Sequence, residues 1–244
     1  MRLHARPWPC AARLAMVLAL AALLAACAGP ETRRAFERPA PNRFLPGVTP
    51  MAEVLAAYGA PGQSLTWDAA GEAPGAAQPL PFGRQPVQGT LRQVDYVHVA
   101  SSAPAARPGI EPTRTLTFWF WQDRLVGYLG QSSFRADSTA FNEAQVNGLR
   151  AGTSTRRDLL RVLGQPAGIL THPLVRGEGN EVLIWDNAEF DRFLNETRRK
   201  RLDVLVDAAG AVIDLRFSSS RTPVPAPAPT ILAPPIYTPP PVIR

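Results

Sequence analysis

Six stretches of the chain have the composition and alternation of β-strands: Val94 to Val99, Thr115 to Trp121, Leu125 to Leu129, Val182 to Trp185, Leu202 to Val206 and Val212 to Phe217. In the second of them Leu116, Phe118 and Phe120 point one way, and Thr117, Trp119 and Trp121 the other. Leu202, Val204 and Val206 likewise share a face, with Asp203 and Leu205 opposite. Gln122-Asp123-Arg124 and Asp207-Ala208-Ala209-Gly210 are turn-compatible, so the last two stretches of each half predict β-hairpins.

Upstream of each set lies the same short pattern. Residues 47–61 (GVTPMAEVLAAYGAP) superpose without a gap on 152–166 (GTSTRRDLLRVLGQP), an offset of 105. Each copy predicts one helix. Thr49 and Ser154 are placed to cap its start, Pro50 fits the first helical position, and Glu53 and Asp158 sit near the positive end of the dipole. Val54, Leu55 and Tyr58, repeated as Leu159, Leu160 and Leu163, make one apolar face. Gly59 and Gly164 stop the helix, and Pro61 and Pro166 prevent its resumption. So short a helix is marginal alone and must pack on the strands that follow. A further helix, N-capped by Asp137 or Ser138, is predicted over Phe141 to Leu149.

The pattern GhTxxxVxxxLGxP, a strand ending in an aromatic, then LxFxF and a turn resembles the BamE (SmpA/OmlA) family of small outer-membrane lipoproteins. Phe141 to Phe217 carries it better than Phe44 to Leu129, which an insertion, Asp68 to Gly89, interrupts. The family folds as two helices followed by a three-stranded antiparallel sheet. The resemblance therefore implies an α+β chain of two tandem BamE-like units, each one or two short helices on a three- to four-stranded antiparallel sheet. A tandem pair is also similar to secreted proteinaceous β-lactamase inhibitors.

The N-terminus adds an address. Arg2, Arg6 and Arg13 precede an apolar core, Leu14 to Leu24, too short to span a bilayer comfortably. Leu24-Ala25-Ala26-Cys27 resembles the lipobox of bacterial lipoproteins, which implies diacylglycerylation of the Cys27 thiol, removal of the peptide before it and acylation of the new amine; an ordinary secretory signal cleaved nearby is the alternative. Ala28, in place of an aspartate, implies transit to the outer membrane. The boundaries expected are 1–26 lipoprotein signal peptide, 27–43 flexible tether, 44–134 first unit with insertions, 135–217 second unit and 218–244 a Pro-rich disordered tail. Ser101 to Pro112 reads as a long hairpin loop within the first unit.

The formal charge is +6, of which the leader's three arginines supply half; the +3 that remains is too mild to imply nucleic acid. With Cys10 in the leader, Cys27 is the sole cysteine of the mature chain, so no internal disulfide can form. His98 and His172 have no metal-ligand spacing, and there is no GxSxG elbow or phosphate loop. No catalytic residue, cofactor or metal site is expected.

Two surfaces remain as candidates for interaction. If helices cover the Leu116 face, Trp119 and Trp121 emerge on the open one. Asp186 to Glu196, followed by Arg198, Arg199, Lys200 and Arg201, places acid before base, as either a charge-paired hairpin or a short helix. The functional expectation is an outer-membrane-anchored, periplasm-facing, non-catalytic protein–protein interaction module. The family resemblance implies a role accessory to β-barrel assembly or envelope integrity, with contact to a periplasmic or outer-membrane protein and to anionic phospholipid. Inhibition or regulation of a periplasmic enzyme, such as a cell-wall hydrolase or β-lactamase, is the alternative.

Overall fold

The structure, a computed structural model, describes residues 35–40, 42–100 and 107–224. The leader, Cys27, and the segments 28–34, 101–106 and 225–244 lie outside the described residues. The elements in chain order are α1 (Met51–Tyr58), β1 (Gln63–Asp68), β2 (Thr90–Val99), β3 (Thr113–Trp121), β4 (Arg124–Ser132), a short 3-10 helix (Glu143–Gly148), α2 (Arg156–Leu163), β5 (Gly168–Thr171), β6 (Glu181–Asp191), β7 (Glu196–Val206) and β8 (Val212–Pro223).

All eight strands belong to one antiparallel sheet whose spatial order is the chain order. The expectation of two tandem α+β units, each on its own small sheet, is thereby corrected: the fold is mostly β, with short helices laid on a continuous sheet. The reason is physical. A sheet ending at β4 would expose a nine-residue edge of unpaired backbone groups. The four-residue β5 covers part of it, with Gly127 opposite Leu170, Tyr128 opposite Ile169 and Leu129 opposite Gly168. One more bond, from the Gly130 amide to the Ala167 carbonyl at 2.8 Å, extends the seam. Glycine is needed there: a Cβ on Gly127 would lie 2.7 Å from Leu170 Cδ2, and one on Gly168 would run into the Tyr128 carbonyl.

The internal repeat survives as hydrogen bonding. Gly47 N donates to Leu125 O (2.7 Å) and Gly152 N to Val212 O (2.8 Å); Met51 N bonds Asp123 O, and Arg156 N bonds Gly210 O, both at 2.8 Å. Each helix start is thus tied to the hairpin ending its own half. Gly59 and Gly164 terminate the helices at φ 79° and 75°, where a side chain is strained. The caps fall one residue later than the sequence suggested. Thr155 caps α2 in a capping box with Asp158, while Pro50 occupies the corresponding position of α1 without a side-chain bond. Thr49 and Ser154 instead accept from Leu45 N (2.8 Å) and Arg150 N (3.0 Å), closing the preceding turn.

Both helices pack on the same sheet face. Val54 of α1 is buried over Val94, Leu116, Phe118 and Phe120, and Leu159 of α2 over Leu183, Trp185, Leu202 and Val204. The opposite face carries one core that crosses the seam, joining Trp67, Leu91 and Trp119 to Leu170, Leu174, Val182 and Ile184. Leu80, Phe82 and Val87 of the 69–89 insertion pack against it. The helix expected over Phe141 to Leu149 is reduced to the 3-10 turn, started not by Asp137 or Ser138 but by Asn142, whose side chain accepts from Ala144 N. The Pro-rich segment also begins later than expected, because β8 continues through Ser218-Ser219-Ser220 to Pro223.

Replacing Gly168 by alanine should lower stability to urea by about 1–3 kcal/mol, the usual cost of overpacking. Denaturation monitored by tryptophan emission checks this, and an unchanged midpoint contradicts the close approach of β4 and β5.

Candidate interaction surface at the hairpin end

The two tryptophans singled out from sequence do not form an open surface. Trp119 is 2% exposed and donates from Nε1 to Gln93 Oε1 at 3.0 Å. Gln93 Oε1 also accepts from Gln78 N of the insertion at 3.1 Å, which fastens the cover over the tryptophan. Trp121 is half-buried, donates to the Gln88 carbonyl at 3.0 Å and meets the edge of His172 at 5.7 Å between ring centroids. An aromatic on a strand face needs a cover, and the Ala-, Gly- and Pro-rich insertion supplies it. That composition reads as a loop and hides its apolar residues among the small ones.

The charged stretch adopts the hairpin alternative. β6 and β7 pair from Glu181 with Val206 down to Asp191 with Glu196, so Asp186 faces Arg201 and Glu189 faces Arg198, while the acids Asp191 and Glu196 face each other beside the tip. On the insertion-side face, Asp186 is fully buried. It accepts from Arg199 through both oxygens (3.1 and 2.6 Å) and from Arg201 Nη1 at 3.3 Å. Arg201 Nε in turn spans both oxygens of Asp203 at 2.9 and 3.0 Å. The hydrogen bond to Asp186 raises the Arg199 guanidinium above its ordinary range. Burial raises the Asp203 carboxyl, with Arg201 opposing the shift.

On the helix side the other half of the basic run lines a polar groove of about 500 Å³. Lys200 Nζ lies 3.0 Å from Glu143, Arg198 contacts Glu196 at 2.6 Å and Asp191 at 3.3 Å, and Arg107 pairs with Glu189. Arg221 stands opposite Arg198 in the β7–β8 register and makes no ion pair among the described residues. The groove is therefore a mosaic of mostly compensated charge. Such exposed pairs contribute about 0–1 kcal/mol each to folding, so their value lies in what they present to a partner.

The hairpin tip was missed by sequence reasoning. Asp191 Oδ1 accepts from Phe193 N at 3.0 Å and Leu194 N at 3.1 Å, and Asn195 takes φ 48°. This built turn leaves Phe193 80% and Leu194 59% exposed. An apolar pair between charged runs was the available signal, and it is easily taken for a buried helix face.

A second polar cluster holds the first described residues to the sheet. Asp137 Oδ1 accepts from Arg114 Nη2 at 2.8 Å and from Ser132 Oγ at 2.6 Å, while Arg38 Nη1 donates to the Asp137 carbonyl at 3.2 Å. Burial alone would raise the Asp137 carboxyl, but the hydrogen bonds from Arg114 and Ser132 outweigh it and hold it below the ordinary value. Phe36 packs on Tyr58, Tyr96 and His98, and His98 stacks on Phe134 at 5.7 Å. Among the described residues, no cluster of three or more metal-ligating side chains occurs, and no helix is long and apolar enough to cross a membrane.

No family model, curated protein or solved structure matches the chain.

Two outcomes follow from these geometries. Asp186→Ala removes the buried partner of Arg199 and one of the two partners of Arg201, which keeps Asp203, and should destabilise the fold by about 1.5–3 kcal/mol, the scale of a hydrogen bond to a charged group; a loss under about 0.5 kcal/mol by denaturant titration contradicts the cluster. Carboxyl-carbon NMR should show Asp137 titrating below 3.8 and Asp203 above it. The signs of their linkage then oppose each other. Asp137 contributes stability that is full at neutral pH and lost as pH falls through its depressed value. The raised Asp203 favours the fold below 3.8 and ceases to do so as pH rises through its native value.

Proposed function

We propose that the protein is a lipid-anchored, periplasm-facing outer-membrane lipoprotein that acts as a non-catalytic protein–protein interaction module, accessory to β-barrel assembly or envelope integrity. The leader ending in Leu24-Ala25-Ala26-Cys27 supports the address. The observation that carries the interaction role is the groove at the β6–β7–β8 end. Its cations and carboxylates are held on rigid strands, each next to an opposite charge, with Arg221 left over. Compensated polar mosaics of this kind select a partner by complementarity, and single charges in them alter approach and register. The enzyme-inhibitor alternative takes the Trp119 and Trp121 face and the insertion loops as its surface; the 69–89 insertion packs over that face, so this reading is left with the loops.

Capture of the tagged full-length protein from crosslinked membranes should bring down an outer-membrane assembly component. Arg198→Glu with Arg221→Glu should reduce that yield about tenfold, the effect of a 1.4 kcal/mol loss. Recovery unaffected by charge reversal removes the groove from the reading. Wild-type capture without any assembly component, together with normal outer-membrane protein levels after deletion, removes the β-barrel role.

A further inference from the structure

The described chain begins at the same end of the sheet as the β6–β7 tip. Arg114, at the start of β3, donates from Nη1 to the Phe36 carbonyl. From β3 the chain runs back along the tip: Glu111 N bonds Phe190 O at 3.0 Å, Ile110 bridges Asp191, and Arg192 N bonds Gly109 O at 2.8 Å. The Phe193 ring lies over Gly109, where a Cβ would collide with it. Gly109 and Arg114 are five residues apart, so their Cα atoms lie within roughly 18 Å of each other, which places the tip near the point where residue 36 joins the fold. Cys27 and Phe36 are nine residues apart, so the span between them is at most about 32 Å. An acylated Cys27 therefore holds residue 36, and with it this end of the sheet, within that distance of the bilayer.

The tip has the chemistry of a bilayer contact. Phe193 is the most exposed large apolar side chain described, and Leu194 and the 38%-exposed Val224 lie beside it. Asn195 exchanges bonds with Val224, Nδ2 to O at 2.8 Å and O from N at 2.9 Å, so the apolar triplet is braced. A disordered loop would bury these side chains at little cost, whereas this turn cannot. Most of the surrounding cations are already matched, Arg107 by Glu189, Arg192 by Glu111, Arg198 by Asp191 and Glu196, and Lys200 by Glu143. That leaves Arg221 as the one nearby cation of the groove without an ion pair among the described residues. Attraction to anionic headgroups is consequently weak, and what remains is apolar partition into the boundary between headgroups and acyl chains.

We infer that the β6–β7 tip, through Phe193 and Leu194, inserts into the interface of a phospholipid bilayer and fixes the tilt of the sheet over the membrane. The inference rests on the lipid-anchored reading. It adds a second contact, dependent chiefly on apolar surface and only weakly on headgroup charge.

The test uses full-length Phe193→Trp protein, purified from bacterial membranes and reconstituted on phosphatidylcholine vesicles brominated near the headgroup end of the acyl chains. The native chain, whose Trp67, Trp119 and Trp185 are buried, sets the background. The introduced tryptophan should lose about half of its emission or more, as a side chain seated 5–10 Å into the boundary would. Adding Leu194→Ser should restore most of that emission. Adding phosphatidylglycerol or raising salt should change the quenching little, since only Arg221 of the groove's cations lacks an ion pair among the described residues; quenching confined to anionic vesicles and lost in salt overturns apolar insertion. The mass of the N-terminal peptide reports the anchor separately. A Cys27 without acyl mass removes the anchored reading and the inference with it. An unquenched tryptophan in acylated, vesicle-bound protein overturns the inference alone.

Discussion

The architecture depends on the junction of β4 and β5. Each half supplies strands already paired among themselves, and each would otherwise end in an open edge. A four-residue strand makes few bonds, and a hydrogen bond contributes only about 0.5–1.5 kcal/mol net. The larger share comes from the apolar face beneath it, where Leu170, Leu174, Val182 and Ile184 are buried against Trp119 and Val126. Full burial of side chains of that size contributes about 1.5–3 kcal/mol each. Packing therefore decides the association, and the backbone pairing sets its register. Gly127 and Gly168 make that register possible by leaving room where side chains would collide.

The two faces of the sheet divide the work. The helix face keeps the separate character of the halves, with α1 and α2 each over its own aromatic or aliphatic cluster. The opposite face merges them under the insertion and the turn after β5. Because the helices and the covered core occupy the middle, exposed chemistry is pushed to the sheet's end, where β6, β7 and β8 extend past their neighbours. There the charged groove and the apolar tip lie side by side. A partner seated at a membrane surface would meet both at once, which links the proposed interaction module to the proposed bilayer contact.

Much of this was legible in the residues. The six alternating runs all lie within strands, and the repeat at 47–61 and 152–166 marks two helices stopped by glycine at the positions it names. What escaped was short or disguised. Gly168-Ile169-Leu170-Thr171 is too brief for an alternation signal, and missing it turned one sheet into two. Gln63 to Asp68, with a single buried tryptophan, pairs along β2 without showing a period of its own. The Asp68 to Gly89 insertion hid its few packing residues among small ones, so Trp119 read as exposed. At the charged hairpin the composition allowed a helix or a hairpin equally, and cross-strand pairing of Asp186 with Arg199 and Arg201 resolved it in favour of strands.

Proton NMR of the folded protein examines the junction most directly. In the observed register, Leu129 faces Gly168 and Gly127 faces Leu170 as non-hydrogen-bonded pairs, flanked by the bonded pair Gly130 and Ala167. Strong nuclear Overhauser effects between the Hα of Leu129 and those of Gly168, and between those of Gly127 and Leu170, are the predicted result. Their absence, with β4 amides exchanging as a free edge, would show two separate sheets and contradict the continuous one.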